Sequence, residues 1–560
     1  MTLRRALAVI FAAVLFALAA SSTLRAQEPP WKAKVDAVFA EREKPGMPGC
    51  ALGVFRNGSI EYARGYGLAN LEHNIPVTTK TIFDLGSVSK QFTATSIILL
   101  AQQGKLSLDD DVRKFVPELR DFGARITIRH LLNHTSGLRD YLTLFSLSGV
   151  DFDGVTGDDE ALRIIARQRE LNFPPGAEYL YSNSGYFLLS VIVKRASGKS
   201  LREFAQENLF GPLGMKNTHF HDNHTEIVPL RATAYAPRRE GGFRIDMSGF
   251  EQTGDGAVFT SVEDFLLWEQ NFGSKKIGGE NLFQELHARG KLTSGETIDY
   301  AAGLVHAKYK GLELVEHGGS WAGYRSSFVR VPAEKLAVAC LCNFANAGPD
   351  QLARRVLDVV LADKLVAADA KNPEPPVITL PEAALKPWAG IYRNAANGNI
   401  RRVQFTDGKL RVDSFTPQSF ELQPLSESRF RVGGVPVRIV LAFAAARGAQ
   451  PAQMTIEREG AKPETLAAVQ PFAVAESELP AFAGDYFSDE LDIVWHIALK
   501  DGKLTNRIGA STTTTELRPA FRDAFIASGV QLIFEREAAG RPQSFTIQAG
   551  RVRNIRFVRR

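Results

Sequence analysis

A near-repeat in the last third of this chain constrains its folding more than any other feature. Trp388-Ala389-Gly390-Ile391-Tyr392 returns as Phe482-Ala483-Gly484-Asp485-Tyr486, and Asp407-Gly408-Lys409-Leu410 returns as Asp501-Gly502-Lys503-Leu504. The glycine-to-glycine spacing is 18 in both copies, and Leu422 to Phe430 matches Leu517 to Phe525 after a one-residue slip. Copies of one pattern fold as copies of one unit, so residues 378–472 and 475–560 are expected to be two tandem domains. Their short alternating segments between Gly-containing turns predict small antiparallel β-barrels. The proline-rich stretch 371–377, Lys371-Asn-Pro-Glu-Pro-Pro376 and one residue more, reads as the linker before them. A chain of 560 residues exceeds what one hydrophobic core organises, which agrees with one large domain and two small ones.

The large unit, 27–370, alternates strand and helix signals. Cys50 to Phe55, the turn Arg56-Asn57-Gly58 and Ser59 to Tyr66 predict a β-hairpin, because Asn-Gly tolerates the positive φ of a tight turn. Helical periodicity covers Lys90 to Gln103, Ile128 to Asn133, Ala161 to Arg169, Tyr186 to Arg195 and Gln351 to Leu365. Leu312 to Glu316, Ser326 to Val331 and Leu336 to Cys342 read as strands of the same sheet as the hairpin. Strands at both ends with helices between them give a layered α/β (α+β) domain.

Residues 1–26 carry Arg4 and Arg5 ahead of the apolar run Ala6 to Ala20, then a polar stretch ending Leu-Arg-Ala. This is the pattern of a cleavable signal peptide, and the run is shorter than the roughly 20 apolar residues of a membrane span. A periplasmic or secreted protein without stable membrane insertion is therefore expected. Removing Arg4, Arg5 and Arg25 takes the formal charge from +5 to +2, and no basic cluster remains that would mark a nucleic-acid partner. Three cysteines, Cys50, Cys340 and Cys342, allow one disulfide and require none.

Three short segments carry groups suited to chemistry. In Phe83-Asp-Leu-Gly-Ser-Val-Ser-Lys90, Ser87 and Lys90 stand three apart at the start of a helix and share a face. A serine hydroxyl becomes a useful nucleophile when a neighbouring base takes its proton, and burial can depress a lysine enough to serve. Tyr181-Ser182-Asn183 offers a phenol for proton transfer and an amide for substrate binding. His317-Gly318-Gly319-Ser320 follows an apolar strand ending at Glu316, and its glycines allow substrate backbone to approach. The N–H groups of Ser320 and Ser87 could then form an oxyanion hole. His219, His221, Asp222 and His224 lie close together, but this chemistry needs no metal or cofactor, and none is expected. His130 and His134 read as structural.

In the order Ser-x-x-Lys, Tyr-x-Asn, His-x-Gly, these segments resemble the serine β-lactamase and penicillin-binding-protein superfamily, most closely its class C-like branch. The resemblance extends through Ile126-Thr-Ile-Arg-His-Leu-Leu-Asn-His-Thr-Ser-Gly-Leu138, Phe173-Pro-Pro-Gly176, Gly211-Pro-Leu-Gly-Met-Lys-Asn-Thr218, Gly254-Asp-Gly256 and Thr260-Ser261, over about residues 31 to 365. It implies a β-lactamase/transpeptidase-like fold, an antiparallel sheet flanked by helices, ahead of the two barrels. It also implies Ser87 as nucleophile, Lys90 and Tyr181 as the acid–base pair, and Asn183, His317, Gly319 and Ser320 as substrate-binding residues. Most β-lactamases have Lys-Thr-Gly at the third segment, where the lysine helps hold the substrate carboxylate. His317 is a weaker anchor, which lowers the expectation of penicillin hydrolysis.

The His-x-Gly variant with two barrel-like domains resembles the D-aminopeptidase arrangement, whose lipocalin-like domains can pack beside the active site. The expected activity is cleavage of an amide or ester through a Ser87 acyl-enzyme, of D-aminopeptidase or DD-carboxypeptidase type, on a small molecule or short peptide, cell-wall fragments included. A carboxylesterase or β-lactamase would use the same mechanism, and a catalytically silent envelope binding protein would keep only the fold. A homodimer is compatible with all of these.

Overall fold

A computed structural model describes residues 29–366, 375–416, 418–435, 438–458, 462–472 and 474–560. The expected signal peptide and most of the linker, residues 371–374, lie outside the described residues.

The sequence-terminal strands of the large unit meet at its centre. One six-stranded antiparallel sheet runs in the order Val305–Tyr309, Leu312–Trp321, Tyr324–Val331, Leu336–Cys342, Cys50–Arg56, Ser59–Tyr66. The hairpin turns through Asn57 and Gly58, both at positive φ. Cys50 stands opposite both Tyr66 and Cys342, and the second pairing carries a disulfide between Cys50 and Cys342. Cys340 stays a thiol, buried in the same strand.

Helices cover both faces, each for a compositional reason. On one face the Lys32–Val38 and Pro349–Val360 helices bury Val35, Val38, Val356 and Leu357 against Leu52, Val54 and Val338. On the other lie the Val262–Ser274 helix and a helical layer around Lys90–Gln102 and Asn183–Ser197. The Lys90–Gln102 helix is buried over nearly its whole length, because its sequence is apolar or small on every side.

Several boundaries differ from expectation, for example Ala161 to Arg169, which is the helix Asp158–Ala166, and two of them bear on the site and the end of the domain. The His317-Gly-Gly-Ser segment does not follow the strand but continues it, pairing Gly318 with Ser327 and Gly319 with Ser326 as far as Trp321. The last helix ends at Val360, five residues short of Leu365, with Leu361 as its cap.

The repeat is explained by local geometry. Gly390 and Gly484 each open the first strand of a barrel, and Tyr392 and Tyr486 each donate to the carbonyl four residues earlier, on Trp388 and Phe482, at 3.0 Å. Asp407-Gly408 and Asp501-Gly502 make the same positive-φ turn. The first unit is a closed barrel of eight strands, Gly390–Arg393 through Glu464–Val469. The second is a nine-stranded sheet whose edge strands, Thr515–Glu516 and Arg518–Phe521, are separated in the chain by Leu517 alone, so it is nearly closed.

The second barrel docks on the large domain through an ion pair with no access to solvent on the arginine side. Arg139, 0% exposed, donates to Glu490 Oε2 at 2.5 Å, to the Arg553 carbonyl at 2.9 Å and to Gln168 Oε1 at 3.0 Å. Trp495 Nε1 donates to the Leu147 carbonyl at 3.0 Å. Breaking one side of a buried pair leaves an uncompensated charge, so Arg139→Ala is expected to lower stability by about 3–5 kcal/mol. Denaturant unfolding of the whole chain measures this, and a loss below about 1 kcal/mol, the range of a surface pair, would contradict it.

Candidate active site

The nucleophile candidate sits where a short strand turns into a buried helix. The Asp84 carboxylate accepts from the Gly86 N–H at 2.7 Å, and Gly86 takes a φ of 50° that a side chain would strain. A 3₁₀ turn, Gly86–Ser89, then leads into the Lys90–Gln102 helix. This places Lys90 Nζ 3.1 Å from Ser87 Oγ.

Lys90 is fully buried, and its amine also donates to Asn183 Oδ1 at 2.9 Å and to the Asp255 carbonyl at 2.5 Å. Burial pushes its pKa down to about 7; the Asp255 carboxylate opposes that shift, and Arg551 adds to it. A neutral amine has two hydrogens for the two carbonyl-type oxygens, which leaves its lone pair for the Ser87 hydroxyl. The arrangement thus suits proton abstraction from Ser87.

Tyr181 neighbours both Ser87 and Lys90, with Lys90 Nζ 4.9 Å from its ring centroid. Its hydroxyl is buried and has no well-aligned partner among the described residues. Burial raises its pKa well above the ordinary phenol value, and the neighbouring Ser87 hydroxyl only partly offsets this, so the phenol stays protonated. The ring packs 4.1 Å from that of His134, whose Nδ1 accepts from the Ser182 N–H at 3.1 Å. Burial holds His134 neutral, far below its ordinary pKa. His134 is therefore structural as expected in that it positions, but what it positions is Tyr181. Asn183 opens the Asn183–Ser197 helix, and its N–H is held by Asp140 Oδ2 at 2.7 Å.

The third segment closes the pocket from the sheet. A Cβ on Gly319 would lie 1.9 Å from the Leu85 carbonyl oxygen, so glycine is needed for the sheet strand to touch the turn before Ser87. A Cβ on Gly86 would lie 2.7 Å from the Ser320 nitrogen, so glycine is also needed for the turn before Ser87 to pack against the strand at Ser320. His317 donates from Nδ1 to the Gly318 carbonyl at 2.7 Å and accepts at Nε2 from the Tyr300 hydroxyl at 3.1 Å. This pattern fixes one neutral tautomer, and burial pushes the pKa to about 4.

A cavity of about 870 Å³ is lined by Ser87, Tyr181, Asn183, His317, Gly319 and Ser320, with Lys90 directly behind Ser87. All seven residues singled out from sequence converge there. Four others had not been assigned to the site: Asp255, Tyr300 and His134, which hold or bias that group, and Arg551, which comes from the second barrel. The Gly254-Asp-Gly256 motif carried a signal for Asp255, but a lone arginine late in the chain carried none. The His219–His221 pair, 3.3 Å between ring nitrogens, lies beside Glu226, which Arg202 already engages through two hydrogen bonds.

A family model described as Beta-lactamase matches residues 35–362. The chain belongs to the beta-lactamase family. A D-aminopeptidase of Gluconobacter oxydans is 30% identical over 448 residues, covering 80% of this chain and 81% of that protein. A D-aminopeptidase of Brucella canis is 24% identical over 537 residues, 91% of this chain and 96% of its own length, so its similarity spans the barrels as well. Among solved structures, the octameric penicillin-binding protein homologue from Pyrococcus abyssi matches with a TM-score of 0.55 and 26% identity, over 78% of this chain and 99% of that one. This member of the beta-lactamase family is a serine hydrolase, with the antiparallel catalytic sheet and the two C-terminal barrels described above. Among the described residues no helix is long and apolar enough to cross a membrane.

Proposed function

We propose that Ser87 forms an acyl-enzyme with small amides or esters of D-amino acids, in a D-stereospecific peptidase or amidase. The observation that carries the reading is the buried Lys90 amine, 3.1 Å from Ser87 Oγ and depressed to about 7, inside the cavity that also holds Tyr181. Lys90 takes the Ser87 proton as Oγ attacks the carbonyl carbon. The N–H groups of Ser87 and Ser320 receive the developing oxyanion, in general a large contribution to acyl transfer. Tyr181, a protonated phenol, delivers a proton to the leaving nitrogen or oxygen and is restored through Lys90. Water then attacks the acyl-enzyme with the same groups in reversed roles. The names of two relatives, both D-aminopeptidases, support the stereochemistry. The neutral His317 argues against efficient penicillin hydrolysis, since it lacks the charge that would hold a carboxylate.

The compartment is proposed on the same footing. The leader-like start and the Cys50–Cys342 disulfide both fit an oxidising space outside the cytoplasm.

Hydrolysis of a D-alanine anilide, its L counterpart, a short-chain phenyl ester and a chromogenic cephalosporin tests the reading. A D-over-L preference of about tenfold or more on the anilides is expected, with the cephalosporin slowest; this corresponds to about 1.4 kcal/mol of discrimination. Equal rates on the two anilides would remove the stereochemical part. Silence on all four substrates, together with no labelling of Ser87 by a serine-directed phosphonate, would remove the whole reading.

A further inference from the structure

His219, His221, Asp222 and His224 stand close together in the chain, and the fold sorts them into different partnerships. His219 and Phe220 form a short strand that sets His219 opposite Phe259 and Phe220 opposite Val258, and the His221 N–H continues the pairing by donating to the Ala257 carbonyl at 2.8 Å. Residues two apart on an extended segment share a face, so the two imidazoles stand side by side. His219 Nε2 and His221 Nδ1 are 3.3 Å apart. The loop that follows folds back through a turn at Asn223, whose Oδ1 accepts from the Thr225 N–H at 3.0 Å and whose carbonyl accepts from the Glu226 N–H at 3.1 Å. This brings Glu226 Oε2 to 3.8 Å from His221 Nδ1. His224 and Asp222 turn to other partners, His224 Nδ1 to Glu251 Oε1 at 2.7 Å and Asp222 Oδ1 to the Arg202 guanidinium at 2.8 Å.

From this we infer that His219, His221 and Glu226 form a binding site for one divalent transition-metal ion of the zinc class. The site stands apart from the Ser87 chemistry, which needs no metal, and the inference does not rest on that chemistry. Zinc holds imidazole nitrogens at about 2.0–2.1 Å in a tetrahedral array, which sets two such ligands about 3.3 Å from one another. That is the separation of the two ring nitrogens here. Burial, the largest influence on each ring, lowers the pKa of His219 and pushes that of His221 down to about 4, so both are neutral imidazoles with a lone pair to give. Glu226 is anionic, held at a pKa of about 2 by the hydrogen bonds from Arg202. Arg202 donates to Oε2 at 2.6 Å and to Oε1 at 2.8 Å, and a carboxylate offers about four lone-pair sites, so Oε2 keeps one for a metal while the guanidinium fixes its orientation. Asp222 offsets the arginine charge. Three protein ligands leave a fourth coordination position, and His221 also lines the catalytic cavity, so the ion would stand at the wall of that cavity.

Titration of the full-length protein with zinc ion, in competition with a chromogenic chelator, tests the site. One equivalent bound with low-micromolar affinity or tighter is expected. Losing an outer partner of a metal ligand costs about 10- to 100-fold in affinity, so losing a ligand itself, in His219→Ala or His221→Ala, should cost about 100-fold or more. Cobalt(II) in place of zinc gives a readout that needs no variant. The intense visible absorption of a four-coordinate ion is expected, without the thiolate charge-transfer band that binding at Cys50, Cys340 and Cys342 would produce. Circular dichroism separates loss of a ligand from loss of the fold, and should a variant unfold, the cobalt spectrum of the unaltered protein still decides. Absence of zinc binding by the unaltered protein, a six-coordinate cobalt spectrum, a thiolate band, or unchanged affinity in both folded histidine variants would overturn the inference.

Discussion

Ser87→Ala is expected to lower kcat/KM by roughly four to six orders of magnitude on every substrate the enzyme turns over, the range seen when a nucleophile is removed from a group that acts as a unit. The size of the effect follows from the geometry. Among the described residues, the Ser87 hydroxyl is the only hydrogen-bond partner of Lys90 Nζ that can become a nucleophile, since the others are the Asn183 amide oxygen and the Asp255 carbonyl. Without it the cavity, the N–H donors and Tyr181 remain, and residual rates report what binding and the oxyanion hole achieve alone. The fold should survive, because the amine keeps its two other acceptors and the lost group is one hydroxyl. A stability change within about 1 kcal/mol is expected, as for a substitution that creates no cavity of consequence. Steady-state kinetics beside intact-mass measurement after a serine-directed phosphonate checks both halves. A variant retaining more than about 1% of the activity, or still labelled, would place the nucleophile elsewhere.

The catalytic segments were legible because each is local. Ser87 and Lys90 are three residues apart on one helix start, so spacing predicted that they could meet, whereas their convergence with Tyr181 and Asn183, at the start of another helix, was implied by the family resemblance. The hairpin at Asn57-Gly58 and the two Asp-Gly turns were legible for the same reason, since a positive φ leaves a mark on residue choice. The sheet order was less accessible: joining Cys50–Arg56 to Leu336–Cys342 depends on a pairing across nearly 300 residues. The continuation of the strand through His317 to Trp321 was hidden by its glycines, which usually weaken a strand and here admit the turn at Leu85. Arg551 was illegible altogether. Its role depends on how the second barrel docks, and the docking rests on Arg139, Glu490 and Asn172, none of which belongs to a local pattern.

Lys90→Met is expected to cost three to five orders of magnitude in kcat/KM, because it removes the base while keeping most of the side-chain volume in a fully buried position. The unaltered enzyme should reveal the same group through its pH profile. Only the neutral amine can accept the Ser87 proton, so kcat/KM should rise with pH through about 7 and level off above it, falling tenfold for each unit below. An ordinary lysine would give a limb near 10, about three units higher. The sign of each neighbour's influence provides a second check. The Asp255 carboxylate favours the ammonium form, so Asp255→Asn should move the limb to lower pH; Arg551 disfavours it, so Arg551→Gln should move the limb to higher pH. Because Lys90 and Asp255 titrate as a pair, the limb in the unaltered enzyme belongs to both, and the two shifts in opposite directions identify the amine as the group that must be neutral. A limb that stayed fixed in both variants would mean that some other group sets the profile, and Tyr181 would then be the first candidate for the base.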